Sequence, residues 1–218
     1  MRIALLGGTG DIAEGLVLRW SKIGHEIFIG SRSDEKAKGI ASEYRGVLSK
    51  LGVNSHIEGL VNAEAARAAE VVVISIPFEY AASTIHQIRD SFNNQIVISP
   101  VVPMVKKGKI FVYSPPPQGS AALEIKETLP ETVKLVSAYH NLPAKALREI
   151  DHVLNYDVVI CGDDKDAKDE VKRITEEIPD LKVLDAGPLE SSMMIEAITP
   201  LIINLNMRYK REFSVKFV

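Results

Sequence analysis

The chain has one cysteine, Cys161, among 218 residues. A lone thiol excludes a disulfide framework and any all-cysteine metal site, and it suits a reducing compartment. Aromatic residues are sparse at 6%, and no Lys/Arg-dense stripe has aromatics interleaved with it. With Lys+Arg 26 against Asp+Glu 29, the formal net charge is −3, which argues against a general nucleic-acid binder. A long apolar run is missing too. The richest stretch, near 193–207, carries Glu196, Asn204 and Asn206 and falls short of the ~20 residues a membrane span needs. The opening MRIALLGGTG has only about five apolar residues before a glycine turn, too few for a signal peptide. Familiar catalytic devices are also scarce. His25, His56, His86, His140 and His152 form no pair at metal-ligand spacing, no Gly-x-Ser-x-Gly elbow is present, and Cys161 has no neighbouring histidine. The expectation is a cytoplasmic protein that engages neither nucleic acid nor membrane and holds no metal.

What is present is an ordinary globular composition, 46% hydrophobic and 25% charged. A chain of this length can bury about 70% of its extended surface, so its core needs no staples. Short β-branched runs alternate with longer amphipathic ones. Strands are expected at Arg2–Leu6, Glu26–Ile29, Val71–Ser75, Gln95–Ser99, Ile110–Tyr113 and Lys134–Ser137. Helices are expected over about 11–23, 34–50, 78–92 and 119–128, the second capped by Ser33 with Asp34 and Glu35 in its first turn. Strands separated by helices require long crossovers and favour a doubly wound parallel α/β sheet, a Rossmann-type fold. The runs VVVISI and IVISPVV fit central strands buried on both faces. Beyond 138 the rhythm loosens into strands at Asp157–Cys161 and Lys182–Leu184, a helix at 165–178 and one at 190–209 that Pro200 should kink. This divides the chain into residues 1–137, a dinucleotide-binding domain, and residues 138–218, a small C-terminal α/β domain, with the cleft between them as the ligand site.

The turn Gly7-Gly8-Thr9-Gly10-Asp11-Ile12-Ala13 follows the first strand and opens the first helix. Gly8-x-Gly10-x-x-Ala13 is the dinucleotide fingerprint with its permitted alanine. Its first glycine makes the tight turn, the second lets pyrophosphate approach the backbone, and the small third residue lets helix and strand pack. A carboxylate at Asp11 would repel phosphate, so Asp11 is read as a helix cap with Glu14 three residues on. At the second strand's end, NAD-selective folds carry an acid for the ribose hydroxyls. Here the sequence is Ile29-Gly30-Ser31-Arg32-Ser33, with Lys36 one helical turn on. A hydroxyl, a guanidinium and an ammonium suit the 2′-phosphate of NADP. Arg32 and Lys36 could instead be solvated charges paired with Asp34 and Glu35. Ile76-Pro77-Phe78 and Pro100–Pro103 lie at strand ends, as a dry wall for a nicotinamide or as plain loop caps. The pair Asp163-Asp164 reads as a helix cap. His140, at the domain junction, is either a structural histidine or the catalytic one.

These residues, together with the motifs LLGGTG, GSRSDEKA, SPVVP, Gly119–Ala122, SAYHNLPA, VICGDD, LDAGPL and ITPLIINLN, resemble a known family nearly end to end. It is the NADP-dependent reductases of 8-hydroxy-5-deazaflavin, coenzyme F420, found mainly in archaea. The resemblance implies that Gly8, Thr9, Gly10, Asp11, Ile12, Ser31, Arg32 and Lys36 hold the phosphates and adenosine of NADP, while Phe78, Val102 and Ala144 contact its nicotinamide half. It further implies that the deazaflavin stacks near His140 and Leu142 with Phe213 covering it, that hydride passes reversibly between the two carriers, and that the chain works as a homodimer. Two departures are visible: Ala13 stands at the third fingerprint position, and Tyr113–Gln118 is proline-rich. Rival readings are an NADPH-dependent reductase of another flavin, a quinone or a small imine or carbonyl compound, and a non-enzymatic NADP-sensing module.

Overall fold

Successive side chains of a strand leave it on opposite faces. In β1 (Arg2–Leu6) Ile3 and Leu5 therefore enter one apolar core, while Ala4 and Leu6 enter another. That division sets the architecture: a sheet with helices on both sides. The computed structural model describes residues 1–8 and 10–218, apart from the Asp11 side chain. After β1 come α1 (Asp11–Ile23), β2 (Glu26–Ser31), α2 (Asp34–Lys50), β3 (His56–Val61), α3 (Asn62–Ala68), β4 (Val71–Ile74), α4 (Phe78–Gln87) and β5 (Ile96–Ser99). Then follow β6 (Met104–Lys107), β7 (Ile110–Tyr113), α5 (Ala121–Thr128), β8 (Lys134–Ser137), α6 (Ala144–Arg148), β9 (Tyr156–Gly162), α7 (Lys165–Glu176), β10 (Leu181–Asp185), α8 (Ser192–Glu196) and α9 (Ile198–Tyr209).

Eight of these strands form one sheet in the order β10-β9-β8-β5-β4-β1-β2-β3, and all neighbours are parallel except β8 and β9. In-register pairs such as Ile3 with Ile27 and Val71 carry the central strands. One face is covered by α1, α2, α6 and α7 through Leu16, Trp20, Leu48, Leu147 and Ile174, and the other by α3, α4 and α5 through Ala65, Ile85 and Ile125. The doubly wound parallel sheet is the expected fold.

Four details differ from the sequence-based expectations. Ile110–Tyr113 does not join the sheet but pairs antiparallel with β6, because Gly108 at φ +61° opens a two-residue turn between Lys107 and Ile110. The strands β3 and β6 and the short helix α3 are not expected from the sequence pattern, since HIEGLV and MVKK lack a dense apolar run. The helix expected over 190–209 is two helices broken at Ala197, not one kinked at Pro200. Pro200 sits in the first turn of α9, where a missing N–H leaves no hydrogen bond unmade. Finally, the backbone places Gly10 at the cap of α1 and Asp11 at its first helical position. The expectations for Thr9 and for the Asp11 side chain lie outside the described residues.

The boundary expected at residue 137 does not interrupt the sheet. β9 meets β8 through two residue pairs, Val136 with Gly162 and Ser137 with Cys161, and β10 then extends the edge.

Candidate functional site

Chain direction splits at β1: β2 and β3 build outward on one side, β4, β5 and β8 on the other. In open parallel sheets that split leaves a crevice beyond the carboxyl ends of the strands, where ligands bind. Gly7 leaves β1 at φ +70°, and a Cβ on it would lie 2.8 Å from the Ser75 carbonyl oxygen. The Gly7 and Gly8 amides donate to the Gly30 carbonyl at 3.0 and 3.3 Å, which ties the turn to the end of β2. Gly10 is different: a Cβ there would meet nothing closer than Ser75 Oγ at 3.7 Å. The protein itself does not require a bare backbone at Gly10, so the open side faces outward, as close approach of a pyrophosphate demands. Ala13 is fully buried, and its methyl fits where helix and strand touch.

The crevice is a cleft of about 230 Å³. The end of β2 and the start of α2 contribute Ser31, Arg32 and Lys36, and the β4–α4 junction contributes Ile76, Pro77, Tyr80 and Thr84, with Gly7 and Asn62 completing the lining. Among the described residues no carboxylate lines it. Asp34, one candidate counter-ion, is paired with Lys38 at 2.6 Å, and among the described residues neither Arg32 nor Lys36 has an acidic partner. Arg32 instead lies 6.0 Å from the centroid of the Tyr80 ring. Asn62 is buried and its Oδ1 has no hydrogen-bond partner, an acceptor left open beside the cleft. An unpaired guanidinium and ammonium, a hydroxyl and an open amide form a cradle that fits the phosphate and ribose of a dinucleotide.

A second set of predicted residues gathers around the loop between β8 and α6. Tyr139 adopts φ +72°, rare for a bulky side chain, and is held there by its hydroxyl contact with Thr175 Oγ1 at 2.7 Å and by edge-on packing against Trp20. This turn sets His140, whose ring is buried with both nitrogens unpartnered. Burial pushes its pKa down to about 4, opposed only by the nearby backbone of Val101. Val101 precedes Val102, so the β5 end and His140 adjoin. The His140 carbonyl accepts from Thr199 of α9 at 2.7 Å, and Ser214 donates to the Asn141 carbonyl at 2.7 Å, which brings the C-terminal tail to the same loop.

Ser31, Arg32 and Lys36 thus share one cleft. Phe78, Val102, Ala144 and Phe213 are half-buried outside its lining, and Leu142 packs into the core beside the sheet. Gly8 and Ile12 belong to the glycine turn and the first turn of α1. Asn62, Tyr80 and Thr84 also line the cleft and are not among the residues expected from the sequence. Tyr80 and Thr84 stand four residues apart on one helix face next to Ile76-Pro77, a signal that was available. Asn62 follows a strand the pattern did not reveal. Asp164, as expected, caps α7 by accepting from the Ala167 amide at 2.9 Å, and Asp163 accepts from Leu189 N–H. Burial pushes the Cys161 thiol up to about 12, which leaves it inert.

Residues 2–103 match the family model described as NADP oxidoreductase, coenzyme F420-dependent. An F420-dependent NADP reductase of Methanocaldococcus jannaschii is 40% identical over 96% of this chain and 94% of its own length. The chain belongs to this family. A second member, the F420-dependent NADP reductase of Methanothermobacter thermautotrophicus, is 35% identical over 95% of this chain and 90% of its own. The family's fold is matched as well: a solved structure from Arthrobacter sp. FB24, provisionally given as an F420-dependent NADP reductase, superposes over 100% of both chains with a TM-score of 0.82 at 22% identity.

Proposed function

We propose that the protein transfers a hydride reversibly between reduced coenzyme F420 and NADP⁺, with residues 1–137 holding the dinucleotide and residues 138–218 completing the deazaflavin side. One observation carries the assignment to NADP: among the described residues Arg32 and Lys36 have no acidic partner and line, with Ser31, a cleft without carboxylates at the switch point of the sheet. When bound, both carriers supply two-electron hydride chemistry, so the protein's part is binding, orientation and exclusion of water.

The residues divide that work. The glycine turn and the start of α1, from Gly8 through Thr9, Gly10 and Asp11 to Ile12, are assigned to the pyrophosphate, since a helix start binds anions. Ser31, Arg32 and Lys36 hold the 2′-phosphate, Arg32 by paired hydrogen bonds and Lys36 as a point charge. Phe78, Val102 and Ala144 keep the nicotinamide side dry. His140, with its pKa lowered to about 4, is neutral at physiological pH. A neutral imidazole can donate one N–H to a ring carbonyl and polarise it, but it is not a proton source there. Leu142 and Phe213 bound the deazaflavin side. We further infer a cytoplasmic homodimer; exposed Met194 and Leu201 on α8 and α9 support the dimer. Among the described residues no helix is long and apolar enough to cross a membrane.

Mixing the purified protein with NADP⁺ and reduced coenzyme F420 should raise absorbance at 340 nm, and the reverse mixture should lower it. No cofactor-dependent change overturns the activity. NADPH oxidation by a flavin, quinone, imine or carbonyl compound without deazaflavin would favour the broader reductase, and nucleotide binding without any turnover would favour a sensing module.

A further inference from the structure

The guanidinium of an arginine offers N–H donors on three nitrogens, and the fold engages only two of those on Arg19. Its Nε donates to the Leu147 carbonyl, and its Nη2 meets the carbonyls of Ala146, Glu149 and His152. Among the described residues Nη1 has no hydrogen-bond partner and no carboxylate pairs with the guanidinium, although Arg19 is only 5% exposed. A cation so far withdrawn from water leaves an unused arm at a cost unless the arm opens on space that water or a ligand can fill. That space exists: Arg19 lines a cleft of about 420 Å³.

Three segments wall this cleft: the end of α1, the stretch Ile150–Val153 ahead of β9, and the turn ahead of β10. It shares no lining residue with the dinucleotide cleft. Ile23, Ile150, Val153 and Pro179 give it apolar walls, and Ile23 and Val153 are 40% and 64% exposed there. The other charges at its rim are mostly engaged. Lys22 pairs with Asp151 at 3.2 Å, and Glu177 contacts His25 at 2.6 Å. Asp180, exposed at the rim, has no cationic partner among the described residues. A phosphate dianion would face Asp151, Glu177 and Asp180 with one guanidinium arm to hold it. A single carboxylate matches the free N–H groups of Nη1, and the apolar walls suit a carbon chain behind it. We propose that this cleft binds a small monocarboxylate with an apolar tail, its carboxylate on Arg19 Nη1 and its tail against Ile23, Ile150, Val153 and Pro179. The site stands apart from the hydride-transfer reading and does not depend on it.

The test is a titration of the isotopically labelled full chain with sodium hexanoate, followed through the backbone amide resonances. Saturable shifts should be confined to the end of α1, to residues 150–153 and to residues 177–180. Hexanamide has the same chain without the charge, and should bind at least ~tenfold more weakly, the loss of a charge-assisted hydrogen bond. Two exposed positions should move the hexanoate Kd in opposite directions. Asp151→Asn removes the carboxylate whose field acts on Arg19 and should tighten binding about threefold. Val153→Glu adds a carboxylate beside the tail and should weaken it by about the same factor. Neither side chain supports the core, and the unligated amide spectrum of each variant reports its fold. No saturable shift with hexanoate, shifts centred instead on the glycine turn and Arg32, equal affinity for acid and amide, or variants that move the Kd the same way would each overturn the carboxylate site.

Discussion

On the proposed function, the choice between dinucleotides falls on Arg32. Its guanidinium stands over Tyr80 and, among the described residues, has no carboxylate partner, so its charge is available to a ligand. Arg32→Ala should lower NADP affinity by at least ~1.5 kcal/mol, the size of a charge-assisted hydrogen bond, and hardly alter NAD affinity. Paired titrations of both nucleotides decide it: an equal loss for the two would remove the 2′-phosphate role. Glu196 poses a different single-residue question. Its buried carboxylate accepts from the Ala121 and Ala122 amides at 2.9 and 3.0 Å and from the Tyr113 hydroxyl at 3.0 Å, closing the start of α5. Burial pushes its pKa up to about 7 against these three donors, and burial together with Glu196 raises that of Tyr113, which stays a donor. Between about 4.5 and 7 the folded form holds a proton that the unfolded form has released. The group's contribution to stability is therefore full below that window and lost as pH rises through it. The melting temperature of the unaltered protein relative to Glu196→Gln should fall between pH 5 and pH 8. A rise over the same range would mean the three donors outweigh burial.

At the scale of elements, the pattern was legible wherever a strand is buried on both faces or a cap is written in the sequence. VVVISI and the Ser33 cap of α2, whose hydroxyl accepts from the Lys36 amide, needed no tertiary information. β3 did not show itself because it lies at the sheet edge with His56 and Glu58 exposed, so its apolar alternation is diluted. The same gap hid Asn62, and with it one wall of the cleft, while Ser31, Arg32 and Lys36 were readable because they follow a recognisable strand and glycine turn. Contacts between distant elements were not legible at all. Arg19 of α1 is the strongest case: it is buried and donates to the carbonyls of Ala146, Leu147, Glu149 and His152 at 3.1, 2.8, 2.7 and 3.1 Å. One side chain thereby closes the C-terminal end of α6, a five-residue helix too short to persist alone. Burial lowers the Arg19 pKa, but Asp151 nearby acts against that and the planar fork stays charged. Arg19→Ala should cost about 3 kcal/mol, because four carbonyls lose a charged donor at once. Arg19→Lys should recover only part of this, since a single ammonium cannot span the four. Urea unfolding of the three proteins measures both; full rescue by lysine would show that charge alone matters there.

For the whole molecule, the surface itself argues for assembly. The exposed area is 10,561 Å², against about 9,900 Å² for a compact monomer of this mass. Among the exposed large apolar side chains are Met194 at 63%, Leu201 at 58% and Ile110 at 51%. They come from α8, α9 and the hairpin, elements that add little to the two main cores. A two-fold contact would let α8 and α9 meet their own copies and cover these residues on both protomers at once. A stable contact of that kind needs more than about 1,000 Å² of buried area. Sedimentation equilibrium should therefore give twice the chain mass for the unaltered protein, and Met194→Glu with Leu201→Glu should give the single mass while the helical content holds. A unit mass for the unaltered protein removes the dimer. The nucleotide readout separates assembly from binding: the cleft lined by Ser31, Arg32 and Lys36 is built from one chain. The monomeric variant should consequently keep its NADP affinity within about twofold, a change of roughly 0.4 kcal/mol. A larger loss would mean that the partner protomer shapes the dinucleotide cleft.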